Sequence, residues 1–315
     1  MKPRRDHRKS VTVELLQNED IIYCENEKLG TVQEVRVNQT LDKDGYLPST
    51  WRIKEVRIGH RTPEDIYGWE SVSENRLGDA VKILQMESAK SLRSISLGTQ
   101  DLELSQNFLK ILEILGTKTL HYLKIHWDAE NFDQKSDFST EVAAFQKLFS
   151  DLRGKFNGDD SDCEPDSPIE ISGPFSVAEA LDMLTRMKAK QASFKLLHCG
   201  RFAKGYMGAV LALIENLDTN PWECDYSIYP PGFAADRALL PVLDALKKKY
   251  GSRFSQDLLD SDSDCNIQTK NEKWDISLDF NLSLSVSCDY MSSDEDSEAD
   301  DCYYDSDQVK DHEIW

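Results

Sequence analysis

The sequence predicts an α/β fold in which short strands alternate with amphipathic helices and the strands form a mostly parallel sheet. Three observations lead to this fold class. Apolar residues recur in clusters with offsets of zero, three and five positions, and an amphipathic segment occupies each gap between clusters. A stretch of period two near the C-terminal end adds a further strand or a hairpin.

The clearest repeating unit spans residues 92–127. Its two flanking clusters share their offsets and consist of Leu92, Ile95 and Leu97 and of Leu120, Leu123 and Ile125. Between them, apolar residues recur at helical steps of three and four, at Phe108, Leu109, Leu112 and Leu115. Gly116 follows, where a helix C-terminus favours a residue that tolerates positive φ. The unit is therefore predicted as strand, helix and strand, and a crossover of this length joins parallel strands.

The same pattern continues over residues 51–250, which we predict to form one repeat scaffold. Further strand clusters are Ile53, Val56 and Ile58; Ile169 and Ile171; Phe194, Leu197 and Cys199; and Cys224, Tyr226 and Ile228. Predicted helical faces comprise Leu77, Val81, Leu84 and Met86; Val142, Phe145, Leu148, Phe149 and Leu152; and Val177, Ala180, Leu181, Leu184 and Met187, with further helices over 207–217 and 239–246. Ser176 and Glu179 have the spacing of a capping box at a helix start.

The residues before the scaffold divide into two parts. Residues 1–10 are basic, which is typical of a disordered terminus and is also compatible with a nuclear-import patch. Residues 11–50 are rich in alternating apolar positions and are predicted to form a small antiparallel β cap on the end of the scaffold.

Three segments follow the scaffold. Residues 251–272 are acidic and are predicted to form a linker. Residues 273–289 alternate strictly between apolar and polar side chains, which predicts a strand with one buried face, packed on the scaffold. One strand of that length would exceed the usual range, so a break near Asn281 and a hairpin are the alternative. Residues 290–315 are strongly acidic and are predicted to form a disordered tail.

Composition restricts the classes of partner. The net charge of −20 disfavours unassisted nucleic-acid binding, because affinity for phosphate rests on Lys and Arg. No apolar run is long enough for a bilayer, and no secretory signal is visible. Seven scattered cysteines are typical of reduced thiols in an intracellular protein, so we expect a cytoplasmic or nuclear location.

The sequence contains none of the common catalytic or cofactor motifs, so a non-catalytic role without cofactor or metal is favoured. The acidic segments instead present candidate phosphorylation sites. Serines that precede acidic residues, as acidophilic kinases require, are Ser261, Ser263, Ser292, Ser293 and Ser297. A solubilising tail that is never modified explains the same composition equally well.

The strand clusters of residues 51–250 resemble a leucine-rich repeat, whose core reads L-x-x-L-x-L and whose unit is one strand and one helix. The alternation is also similar to the substrate-recognition region of F-box and other leucine-rich-repeat adaptors, including divergent F-box-associated regions of nematode proteins. This resemblance implies an intracellular protein-interaction scaffold and a role as a ubiquitin-ligase adaptor. An ordinary α/β domain with a mostly parallel sheet would show the same alternation, and the sequence leaves that alternative open.

The resemblance places the binding face on the strands, at positions that alternate with buried ones. Its candidate residues are His121, Lys124, His126, Lys195 and His198. Two other functions remain open. An α/β enzyme would place His60, His126 or His198 beside a buried carboxylate in a concave pocket at the carboxyl ends of the strands. A chaperone-like protein would bind basic proteins through the acidic tail.

Overall fold

One sheet of thirteen strands organises the chain. A computed structural model describes residues 9–17, 20–26, 31–37, 51–59, 69, 72–99, 104–128, 137–156, 168–197, 205–229, 235–256, 265–270, 274–278 and 283–288. The strands are β1 (Lys9–Leu15), β2 (Asp20–Asn26), β3 (Thr31–Val37), β4 (Trp51–Ile58), β5 (Ser94–Thr99), β6 (Tyr122–Trp127), β7 (Ile169–Gly173), β8 (Gln191–Leu196), β9 (Cys224–Tyr229), β10 (Phe254–Gln256), β11 (Cys265–Gln268), β12 (Trp274–Leu278) and β13 (Ser283–Cys288). Their order across the sheet is β10-β11-β12-β13-β9-β8-β7-β6-β5-β4-β1-β2-β3.

Seven of these strands, β1 and β4 to β9, run parallel. From β4 to β9 each strand lies beside the next one in the chain. Within the unit of residues 92–127, Ile95 pairs with Leu123 and Leu97 pairs with Ile125. The predicted parallel strands that alternate with helices are therefore confirmed, with this unit in the predicted register.

The structure corrects the phase predicted for β8. Phe194 pairs with Ile171, which in turn pairs with Ile125, so Phe194 occupies the last position of the apolar pattern and not the first. The buried residues of β8 are Ala192, Phe194 and Leu196. The match of Phe194, Leu197 and Cys199 to the offsets was coincidental, because the small Ala192 gave no apolar signal. Cys199 lies outside the described residues.

The helices form one layer on one face of the sheet. They are α1 (Glu74–Gln85), α2 (Gln106–Leu115), α3 (Ser139–Leu152), α4 (Val177–Met187), α5 (Tyr206–Thr219) and α6 (Ala235–Tyr250), and a 3₁₀ turn (Glu87–Ser91) follows α1. Each helix packs against the next in the chain, which places them side by side. The apolar positions predicted for the helices of residues 142–152 and 177–187 are all buried. Their amphipathic spacing therefore identified the sheet-facing sides correctly.

An aromatic cluster lies in the core between the two layers. Trp127, at the end of β6, is fully buried and contacts Phe138 edge-on, with ring centroids 5.1 Å apart. Phe175 lies 5.8 Å from Trp127 and 5.0 Å from Phe145, also edge-on. Edge-to-face aromatic contacts each stabilise by about 0.5–1.5 kcal/mol beyond the burial of their area, so this cluster firmly joins β6 to α3 and α4.

Lysines in the turns after two helices connect successive units. The Lys118 ammonium, three residues beyond α2, donates to the Leu84 carbonyl at 3.0 Å and to the Ala89 carbonyl at 3.1 Å. Lys155, three residues beyond α3, donates to the Gly116 carbonyl at 2.9 Å. These ammonium groups donate to carbonyls at the end of the preceding helix or in the turn after it, where their charge suits the helix dipole.

Gly116 differs from its prediction. It does end α2, but its φ is −58°, so positive φ does not explain the glycine. The reason is the neighbouring helix: a Cβ on Gly116 would lie 2.9 Å from the Cβ of Asp151 in α3. Close approach of two helices therefore selects glycine here.

Both ends of the sheet are antiparallel. At one end, β2 and β3 extend the sheet beyond β1, and β1 itself joins β4 in parallel, so the predicted cap is continuous with the scaffold sheet. At the other end, β12 and β13 form the hairpin alternative of the sequence analysis. The segment predicted as a linker contains β10 and β11, because Cys265 and Ile267 are buried on the helix-covered face.

Candidate interaction face

The face of the parallel sheet opposite the helices carries no helix of the described residues. We call this surface the open face. Because strand side chains alternate, the positions between the buried ones lie here. On β4 to β9 they are Glu55, Arg57, Ser94, Ser96, Gly98, Tyr122, Lys124, His126, Glu170, Ser172, Gln191, Ser193, Lys195, Asp225, Ser227 and Tyr229. All of them are partly or fully exposed except Ser96 and Gly98 of β5, which are buried. The open face is therefore mostly polar, with aromatic residues at separate positions.

Two ion pairs lie on the open face. Lys124 pairs with Glu170 on the neighbouring strand at 2.7 Å, and Arg57 pairs with Glu55 at 2.7 Å. Tyr122 donates its hydroxyl to the Glu170 carboxylate at 3.3 Å. Burial, followed by the nearby Glu170 charge, raises the pKa of Tyr122 well above its usual range. Tyr122 therefore serves as a neutral hydrogen-bond donor and not as an acid.

An aromatic stack covers the carboxyl end of β6. The rings of Trp69 and His126 lie parallel, with centroids 5.0 Å apart and planes 5° apart. Beneath the indole is Gly98 of β5, which pairs with His126 in the sheet. A Cβ on Gly98 would lie only 1.9 Å from the Trp69 Cε3 atom, so the indole can rest on the sheet only where the strand has no side chain.

The stacked imidazole is held neutral by its surroundings. Burial lowers the pKa of His126, and the charges of Lys195 and Lys124 lower it further, while Asp128 acts in the opposite direction. The Nε2 atom of His126 lies 3.8 Å from the Oδ2 atom of Asp128. At neutral pH this end of the face therefore presents an uncharged imidazole against an indole.

A shallow depression of about 250 Å³ lies farther along the open face, over β7, β8 and β9. Its polar lining comes from Glu170, Gln191, Ser193, Asp225, Ser227 and Tyr229. Tyr229 is half exposed, which is unusual for a residue of its size in this structure. The depression lies on the face that the helices leave uncovered, and its lining is mostly polar, unlike the apolar core.

The structure brings together three of the five residues predicted for the binding face. Lys124, His126 and Lys195 all lie on the open face, and His126 and Lys195 flank Ser172 in the same row, about 10 Å apart by the spacing of strands. His121 lies in the turn before β6, where its backbone N–H donates to the Arg93 carbonyl. His198 lies outside the described residues.

The described residues show only part of the arrangement expected for an enzyme. His126 does lie near a carboxylate at the carboxyl end of a strand, but Asp128 keeps about a third of its side chain exposed. The depression lies over neighbouring strands and not around His126. His60, the acidic tail and the five candidate phosphorylation sites, Ser261, Ser263, Ser292, Ser293 and Ser297, lie outside the described residues.

Sequence reasoning did not single out Trp69, Asp225 or Tyr229. On β9, Asp225 and Tyr229 occupy exposed positions that alternate with the buried Tyr226 and Ile228. Strand periodicity could therefore have identified them. Trp69 lies outside every apolar cluster, and its contact with β5 and β6 carries no sequence signal.

No helix in the described part of the chain is long and apolar enough to span a membrane. The same residues contain no group of three or more His, Cys, Asp or Glu side chains placed to hold a metal ion.

Comparisons with known proteins assign no family to the chain. No family model, no curated protein and no solved structure matches the chain.

Proposed function

We propose that the chain is a non-catalytic protein-interaction scaffold that binds a partner protein on the open face of its parallel sheet. The observation that carries the proposal is the asymmetry of this sheet: helices cover one face, and the other presents polar and aromatic side chains at regular spacing from β6 to β9. Sheets built by stacking strand–helix units commonly use such an extended face for binding.

The composition of the open face supports a protein partner. Tyr122, His126 and Tyr229 provide aromatic contacts, and Tyr and other aromatic residues are enriched at protein interfaces. Ion pairs such as Lys124 with Glu170 fix the positions of charged groups before a partner arrives. A preorganised face loses less side-chain entropy on binding.

The finer proposal is that the scaffold acts as a leucine-rich-repeat-like adaptor that presents a substrate to a ubiquitin ligase. Its support is the resemblance of residues 51–250 to F-box-associated regions, together with the order of β4 to β9, in which every strand lies beside its successor. Such an adaptor would act in the cytoplasm or the nucleus.

Site-specific photo-crosslinking in cells tests the proposal. A photoreactive amino acid at Ser193, on the open face, is expected to crosslink a discrete set of proteins. The matched control places it at Ser150, which is exposed on α3. Equal labelling from both positions contradicts a binding role for the open face. Recovery of a ubiquitin-ligase subunit with the Ser193-labelled proteins would support the adaptor role, and labelling without such a subunit would argue against it.

A further inference from the structure

The open face has two charged groups on its β8 and β9 side that lack an ion-pair partner among the described residues, Lys195 and Asp225. The charged side chains that β4, β6 and β7 carry near the middle of these strands are paired, since Glu55 pairs with Arg57 and Glu170 pairs with Lys124. Asp225 is exposed and lines the depression over β7 to β9. This depression therefore contains one carboxylate that is free to accept a cation.

The two ends of the depression differ chemically. Asp225 and Tyr229 lie on the same face of β9, four residues and about 13 Å apart. Lys195 pairs with Tyr229 in the sheet, so the positive charge lies at the tyrosine end. A cation is repelled from that end and attracted to Asp225, where Gln191 is the neighbour on β8. A long side chain would therefore lie with its charged end at Asp225.

The lining selects a guanidinium over other cations. Besides the carboxylate, it offers the hydroxyls of Ser193 and Ser227 and the amide oxygen of Gln191, which can all accept hydrogen bonds. Arginine has five N–H donors in a planar fork and can satisfy several acceptors at once, whereas lysine acts as a point charge. A volume of about 250 Å³ has room for one such side chain.

The charge of the whole chain favours the same partner. With a net charge of −20, the protein attracts basic segments over long range and repels acidic ones. We propose that the depression over β7 to β9 is a subsite for an arginine side chain presented by a basic segment of a partner protein, with Asp225 as its acceptor. This inference rests on the proposed function of the open face.

Fluorescence anisotropy with the full chain tests the subsite. The probes are labelled nine-residue peptides of glycine and serine with one central residue: arginine, or citrulline, which has the same shape without the charge. The arginine peptide is expected to bind saturably and about tenfold more tightly than the citrulline peptide, the effect of one charged hydrogen bond. Asp225→Asn should reduce its affinity to that of the citrulline peptide.

Asp244→Asn is the matched control, because Asp244 is exposed on α6 and its removal changes the net charge equally. It should leave the affinity for the arginine peptide within about twofold. An equal loss in both variants, equal binding of the two peptides, or no saturable binding up to about 1 mM arginine peptide overturns the subsite. If crosslinking from Ser193 succeeds while these results are negative, only the arginine subsite fails; if both fail, the binding role of the open face fails.

Discussion

The imidazole of His126 stacks on the indole of Trp69, with the two planes 5° apart, on the open face of the sheet. Since burial lowers the pKa of His126, the unfolded chain takes up this proton at a higher pH than the folded chain does. The histidine therefore destabilises the fold increasingly as pH falls below about 6.5, the usual value, until the folded pKa is reached.

We predict that the free energy of unfolding rises between about pH 5 and about pH 7.5 and that His126→Gln removes part of this rise. Urea unfolding of the two proteins at both values measures it. A pH dependence that is identical in the variant would show that His126 is as easily protonated in the folded chain as in the unfolded one.

Gly98→Ala should destabilise the protein by about 1–3 kcal/mol, because its methyl group would occupy the space of the Trp69 indole. The same substitution in a Trp69→Ala background should have little effect, since the obstructing ring is absent. Thermal unfolding of the wild type, the two single variants and the double variant measures the coupling free energy between the two positions. Purely additive effects would contradict the contact between the two positions.

Lys118→Met should destabilise by about 1–3 kcal/mol, because the half-buried ammonium donates hydrogen bonds to the Leu84 and Ala89 carbonyls and both bonds would be lost. Burial lowers the pKa of Lys118, as expected for an ammonium group that is partly removed from water. The matched control is Lys110→Met, which removes an exposed lysine paired with Glu113 and should change stability by less than about 0.5 kcal/mol. Similar losses in the two variants would assign the effect to the change in net charge.

Ser176→Ala should destabilise by about 1 kcal/mol. Ser176 accepts a hydrogen bond from the Glu179 N–H at 3.3 Å, and Glu179 accepts one from the Ser176 N–H at 2.7 Å. Ser73, at the start of α1, makes no such side-chain bond, so Ser73→Ala should have a much smaller effect. Chemical denaturation of both variants measures the two losses. Equal losses would show that the effect does not come from the capping hydrogen bonds of Ser176.

Asp218→Asn should destabilise by about 1–3 kcal/mol, because Asp218 joins the end of α5 to the start of β10 and the end of β11. It accepts from Arg253 at 2.7 Å and from the Lys270 backbone N–H at 3.0 Å. Burial acts to raise the pKa of Asp218, but these hydrogen bonds and the two positive charges together lower it.

The sign of the pH dependence follows from that lowered pKa. The stabilisation by Asp218 is complete above about pH 4, the usual value for an aspartate, and is lost as pH falls through the folded pKa. The difference between wild type and Asp218→Asn should therefore be constant from neutral pH to about pH 4 and should shrink below it. Asp244→Asn, which removes an exposed carboxylate on α6, should show no such difference.

The sequence predicted those parts of the fold that depend on local periodicity. Leu92 and Leu120 are buried just before their strands, so the offsets marked β5 and β6 correctly. Where a strand has a small residue, as at Ala192, the pattern lost its phase. In β10 and β11 the strands are too short and polar for periodicity to identify, and pairing with β12 forms them.

The candidate site was less accessible to sequence reasoning. Lys124, His126 and Lys195 follow from alternation along a strand. Their neighbours across the sheet depend on register, which joins residues such as Lys124 and Glu170 that lie far apart in the chain. The position of Trp69 depends on the missing side chain of Gly98, a relation between two segments that neither segment shows alone.

From β4 to β9, every strand is hydrogen-bonded to its successor in the chain. The stability of such an array is approximately the sum of the contributions of its units and of the contacts between neighbouring units. A substitution that weakens one central strand pair, for example β6 with β7, would leave two parts of the sheet that each keep their own strand pairing. We therefore expect equilibrium unfolding to pass through an intermediate in which one part of the sheet is folded and the other is unfolded, whenever one central strand pair is weakened.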